Sequence, residues 1–120
     1  MIAKLRALFG RSPAISVTQA PQAISDGALL LDVRELDEWR AGHAPQAQHI
    51  PLGQLETRLE EIPAGRPIVA VCPSGRRSAV AANVLNGRGY HATNLTGGMT
   101  AWAAAGLPVV STRNKPGRIT

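Results

Sequence analysis

The sequence predicts an α/β domain, with a mainly parallel sheet carrying helices on both faces. Three observations lead there. Two short apolar runs, "ALLLDV" (28–33) and "PIVAVC" (67–72), lack polar alternation, as strands buried on both faces of a parallel sheet do. A turn signal precedes each run, Asp26-Gly27 in one case and Gly65-Arg66-Pro67 in the other. A helical pattern follows each, and this alternation is how consecutive strand–helix–strand units read.

The elements follow in order. "MIAKLRALFGRSP" places Ile2, Leu5, Leu8 and Phe9 on one face of a short basic helix, while Lys4 and Arg6 interrupt the apolar run that a secretion signal needs. Residues 1–14 are therefore set apart as a basic amphipathic segment. "ELDEWRAG" (35–42) reads as a short helix, and "QHI" (48–50) as a weak strand. "LGQLETRLEEI" (52–62) reads as a second helix with Leu52, Leu55, Leu59 and Ile62 on one face. "RRSAVAANVLNGRG" (76–89) is a third, ending at Gly87 or Gly89. "ATNL" (92–95) is another weak strand, and "MTAWAAAG" (99–106) a last short helix before "LPVV". The domain proper spans 15–110, and 111–120 form a basic C-terminal tail.

A chain of 120 residues is one domain. At this size roughly two thirds of the unfolded surface can be buried, so neither disulfide nor structural metal is required. The net charge of +5 suggests nucleic acid until it is divided along the chain. Lys4, Arg6, Arg11, Arg113, Lys115 and Arg118 lie in the two ends, which leaves seven basic and eight acidic residues for 12–112. With four aromatic side chains and no basic stripe through the body, a nucleic-acid partner is not expected. No segment reaches the length of a membrane-spanning helix, so no stable membrane insertion is expected either. One cysteine cannot form an internal disulfide, which fits a reducing, cytoplasmic setting.

That cysteine stands in "CPSGRRS" (72–78), between a predicted strand and a predicted helix. Such a junction presents unpaired amide N–H groups and the positive end of the helix dipole, both of which attract negative charge. A thiol placed there is stabilised as thiolate. Arg76 and Arg77 add positive charge, and Gly75 lets the backbone curl. A buried core role for Cys72 is the competing reading, but the glycine and two arginines are poor company for a core position. The histidines, His43, His49 and His91, lack metal-ligand spacing, so no metal is expected. His43 is read as structural, bonding the turn after it.

Two chemistries use such a loop. A cysteine phosphatase or arsenate reductase needs arginine after five intervening residues, to grip the oxyanion bidentately. That position is Ser78, with Arg77 one residue early, so the ring of amides is sized for a single sulfur atom instead.

At these residues the chain resembles the single-domain members of the rhodanese family of sulfurtransferases. The resemblance covers about 15–110 and rests on three ordered stretches: "LLDVRELDEWRAGHAPQAQHIPL", "VCPSGRRSAVAANVLNGRGY" and "LTGGMTAWAAAGLPV". It implies a three-layer α/β/α domain with a five-stranded, mainly parallel sheet. It implies Cys72 as the sulfur-accepting nucleophile, the amides of residues 74–77 as a cradle for its persulfide, and Ser74, Gly75, Arg76 and Arg77 as the donor-binding set. Asp32 and Arg34 match residues that brace the loop, and Ser78 closes it. Trp39 and Trp102 are expected in the core, with Gly97 and Gly98 serving a turn beside the site. The implied partners are a small anionic sulfur donor such as thiosulfate and an acceptor that is cyanide, a small thiol or a protein thiol; no cofactor is called for. Pro73, where thiosulfate-using members often carry a basic residue, removes one charge and one N–H donor. Gln46 and Ala44 also depart from the family pattern. A non-enzymatic persulfide carrier or interaction module is the alternative within the same chemistry, and the oligomeric state is left open.

Overall fold

The computed structural model describes residues 13–113 and 115–120. The basic helix expected from Ile2, Leu5, Leu8 and Phe9 lies outside the described residues. Among the described residues five strands and four α-helices alternate: β1 (Ala14–Ile15), α1 (Ala20–Ser25), β2 (Leu29–Asp32), α2 (Leu36–Ala41), β3 (Gln48–His49), β4 (Ile68–Val71), α3 (Arg76–Gly87), β5 (Ala92–Leu95) and α4 (Gly98–Ala104). All strands pair in parallel, in the order β1-β5-β4-β2-β3. The carboxyl ends of the central strands β2, β4 and β5 therefore open on one edge of the sheet, where ligands sit in such folds.

The central strands show why the apolar runs carry no alternation. Leu29, Leu31, Ile68, Ala70 and Cys72 face one core with Ala81, Ala82 and Leu85 of α3. Leu30, Val69 and Val71 face the other, with Ala20 of α1 and with Met99 and Trp102 of α4. Side chains at i and i+2 share a sheet face, so each strand serves two cores at once. The result is the three-layer α/β/α arrangement.

One expected helix does not form. Residues 52–62 contain two separate 3₁₀ turns, Leu52–Gln54 and Leu59–Glu61. Gly53 favours the open chain, and the Thr57 hydroxyl donates to the Gln54 carbonyl at 3.0 Å, a local bond that competes with helix. The apolar spacing still works: Leu55 and Ile62 are buried, and Leu52 and Leu59 pack against the same cluster. Trp39 is a second correction. It is half-buried outside both cores, stacked on His43 with ring centroids 3.6 Å apart and on His49 at 4.8 Å. His43 does not bond the turn after it. Its Nδ1 donates to the Trp39 carbonyl at 2.7 Å, and its backbone bridges Val110.

Residues 111–113 and 115–119 run back over the domain. Val110 bridges both His43 and Pro116, the Arg118 N–H donates to the Ala41 carbonyl at 3.0 Å, and Ile119 packs against the α4 core. Gly42 allows this approach, since a Cβ there would stand 2.6 Å from the Arg118 nitrogen. None of the helices formed by described residues is long and apolar enough to cross a membrane.

Candidate active site

β4 ends at Val71, and the next residue is Cys72. The chain then turns through Pro73, Ser74 and Gly75 into α3. Gly75 is the helix N-cap at φ +101°, a left-handed conformation that glycine adopts without a Cβ penalty. This turn points amides inward. The Gly75 N–H donates to Cys72 Sγ at 3.1 Å, and Ser78 Oγ, fully buried in the first turn of α3, lies 3.2 Å from the same sulfur.

Cys72 is 1% exposed and packs within the α3-side core. Burial alone pushes the thiol upward, because a charge in a poorly polar setting is unfavourable. The Ser78 hydroxyl and the amides of Ser78, Gly75 and Ser74 more than offset this, leaving Cys72 below the ordinary thiol range. Cys72 is thus a core residue and a polarised thiol at once. The amides that act on Sγ itself are those of 74, 75 and 78.

The two arginines part company. Arg77 closes bidentately on Glu38 of α2, with N–O distances of 2.8 and 2.9 Å. Arg77 holds the Glu38 carboxyl below the usual carboxylate range. Glu38 also accepts the Glu35 N–H at 2.9 Å in the capping box of α2, so one carboxylate ties a helix start to the cysteine loop. Arg76 is exposed and makes no ion pair among the described residues.

Asp32 and Arg34 form a fully buried ion pair, with Arg34 Nη2 at 2.7 Å from Asp32 Oδ2 and 2.6 Å from the Gly42 carbonyl. Their bonds brace the segment between β2 and β3, where the Arg34 carbonyl also accepts from His49 Nε2 at 2.7 Å. Next to this pair, the Val33 N–H donates to the carbonyl of Val71, the residue before Cys72, at 3.0 Å.

The far wall is the turn before α4. The Met99 N–H donates to the Cys72 carbonyl at 2.8 Å and the Thr100 N–H to the Pro73 carbonyl at 3.1 Å. Gly98, at φ +58°, makes room for them: a Cβ there would overlap the Cys72 carbonyl oxygen and lie 2.6 Å from that of Pro73. Two residues not singled out in the sequence complete the site, Glu38 and Asn94. Asn94 of β5 donates from Nδ2 to the Gly75 carbonyl at 2.9 Å and turns Oδ1 toward Ser78 Oγ at 2.5 Å. The available signal was asparagine, a poor strand former, inside the short strand "ATNL".

Known proteins resemble this chain over most of the described domain. Residues 16–105 match the model of the rhodanese-like domain. A protein of Allochromatium vinosum named "Sulfurtransferase" is 40% identical over 90 residues, covering 74% of this chain and 84% of that one. "Putative sulfur carrier protein YrkF" of Bacillus subtilis is 40% identical over 93 residues, and there this chain spans only 50% of the relative's length. Among solved structures, a rhodanese-related protein of Thermoplasma volcanium superposes with a TM-score of 0.76 at 28% identity, over 82% of this chain and 97% of that one. The parallel sheet and a match over three quarters of the residues make the chain a member of the rhodanese-like domain family.

Proposed function

We propose that the protein is a sulfurtransferase that passes sulfane sulfur through a persulfide on Cys72. The observation that carries this reading is the buried Cys72 sulfur held by the Gly75 N–H at 3.1 Å and faced by the Ser78 hydroxyl at 3.2 Å. In the first half-reaction, the thiolate attacks the outer sulfur of thiosulfate. An S–S bond forms to Sγ, the sulfane–sulfonate bond breaks, and sulfite leaves with the electron pair. In the second, a cyanide or thiolate acceptor attacks the outer persulfide sulfur, and Cys72 leaves as thiolate. Neither half needs a general base once the nucleophile is ionised. A cytoplasmic setting, which keeps thiols reduced, suits this chemistry.

A phosphatase is disfavoured, since Ser78 occupies the position that needs the oxyanion-gripping arginine and Arg77 is engaged by Glu38. A carrier role is the second reading, favoured by the 40% identity to a relative named as a sulfur carrier. The test is intact mass spectrometry after thiosulfate exposure. One added sulfur atom on the wild type and none on Cys72→Ser is expected; no addition, or equal addition to both, rules the proposal out. Turnover with cyanide then separates enzyme from carrier.

A further inference from the structure

The Ser78 hydroxyl has one proton and two acceptors within reach, Cys72 Sγ at 3.2 Å and Asn94 Oδ1 at 2.5 Å. It cannot serve both. Asn94 has little freedom to step aside, because its Nδ2 donates to the Gly75 carbonyl, an acceptor only, which fixes Oδ1 toward Ser78. The same carbonyl belongs to the residue whose N–H holds the sulfur. Asn94, Ser78, Gly75 and Cys72 therefore form one closed circuit.

Counting protons gives two states of that circuit. With a neutral thiol, Cys72 S–H donates to Ser78 Oγ and Ser78 O–H donates to Asn94 Oδ1, so every group is satisfied. With a thiolate, Ser78 O–H turns to the sulfur and Asn94 Oδ1 loses its donor. We infer that Asn94 is a positioning residue that competes with the Cys72 sulfur for the single Ser78 proton, so that the serine hydroxyl swings between them as the sulfur gains and loses charge. This rests on Cys72 being the reactive sulfur of the proposed function, but the competition exists whether or not sulfur is transferred. It also goes beyond a loop-support role, since a group that only held the loop would act without reference to Ser78.

The charged surroundings are simple. α3 contributes Arg77, already paired with Glu38 of α2, and the exposed Arg76; β2 contributes Asp32, paired with Arg34; β5 and α4 contribute no titratable side chain. A change made at Asn94 is therefore read against a constant background.

The experiment is the pH dependence of Cys72 alkylation by iodoacetamide, in the 120-residue chain with its fold checked by circular dichroism. Asn94→Ala removes the competing acceptor and is expected to lower the midpoint by about 0.5 to 1 unit, the size of one neutral hydrogen bond. Asn94→Asp binds the serine proton more tightly and adds negative charge, so the midpoint is expected to rise. In a Ser78→Ala background the Asn94→Ala shift should vanish. A midpoint unmoved by Asn94→Ala, or a shift of equal size in the Ser78→Ala background, overturns the inference. Failure of sulfur loading with these shifts intact would instead count against the proposed function alone.

Discussion

Arg77 closes on Glu38 through two hydrogen bonds, across 39 residues of sequence, and so commits one of the two loop arginines to a neighbouring helix. The charge at the mouth of the cysteine loop then falls to Arg76. Arg76→Ala is expected to raise KM for thiosulfate about two- to five-fold, the scale of an exposed charge interaction. Arg77→Ala should change KM less. Glu38→Gln, which releases the Arg77 charge, should lower KM and steepen its dependence on salt. Steady-state kinetics at two ionic strengths make the comparison, and equal effects of Arg76→Ala and Arg77→Ala would refute the division of labour.

The second prediction concerns the thiolate. Burial raises the Cys72 thiol and the Ser78 hydroxyl and nearby amides lower it further than burial raises it, so alkylation should show a midpoint below the ordinary value of about 8.5. Ser78→Ala should raise that midpoint by about one to two units, since a hydrogen bond to a charged group is lost. The sign for stability follows by linkage. A group whose folded pKa is depressed binds fewer protons when folded, so unfolding free energy rises with pH between the folded and unfolded values and is lost again on acidification. Urea melts of the wild type and Cys72→Ser should therefore diverge as pH increases through that window. Parallel curves would show that the thiol is not ionised in the fold.

Much of this was legible in the sequence because the strongest physical signals are local. "ALLLDV" and "PIVAVC" read as doubly buried strands, and "CPSGRRS" announced an anion-holding turn by its glycine and charges. Leu52, Leu55, Leu59 and Ile62 were correctly placed on one apolar face, yet the backbone beneath them is two 3₁₀ turns, because side-chain spacing constrains a face more than it constrains hydrogen bonding. β1 and α1 escaped notice, being two and six residues long and too short for periodicity to register. Glu38 and Asn94 lie 34 residues before and 22 after Cys72, and only the sheet order brings their helix and strand to the loop.

Gly98 and Gly87 offer a paired test of backbone control. Gly98→Ala meets a positive φ and the carbonyls of Cys72 and Pro73, so it is expected to cost about 2 to 4 kcal/mol and to reduce activity by displacing the loop. At Gly87, the last residue of α3, a Cβ would meet open space and φ is ordinary. Gly87→Ala should stabilise by about 0.4 to 1 kcal/mol, leaving activity unchanged. Thermal melts with activity measured on the same samples decide it; Gly98→Ala with wild-type stability would contradict the close approach.

The Asp32–Arg34 pair makes the last prediction, because both side chains are fully buried and each satisfies the other. Removing one partner strands a charge where water cannot reach it, so Asp32→Leu or Arg34→Met should each cost about 3 to 5 kcal/mol. Arg34 also holds the Gly42 carbonyl, which an apolar replacement leaves without that donor. The double variant Asp32→Leu/Arg34→Met removes both charges together and should lose less than the sum of the single losses. Denaturant melts of the four proteins form the cycle. Additive losses would mean that the two charges do not compensate each other in the folded protein, and that the segment between β2 and β3 is held by its other bonds.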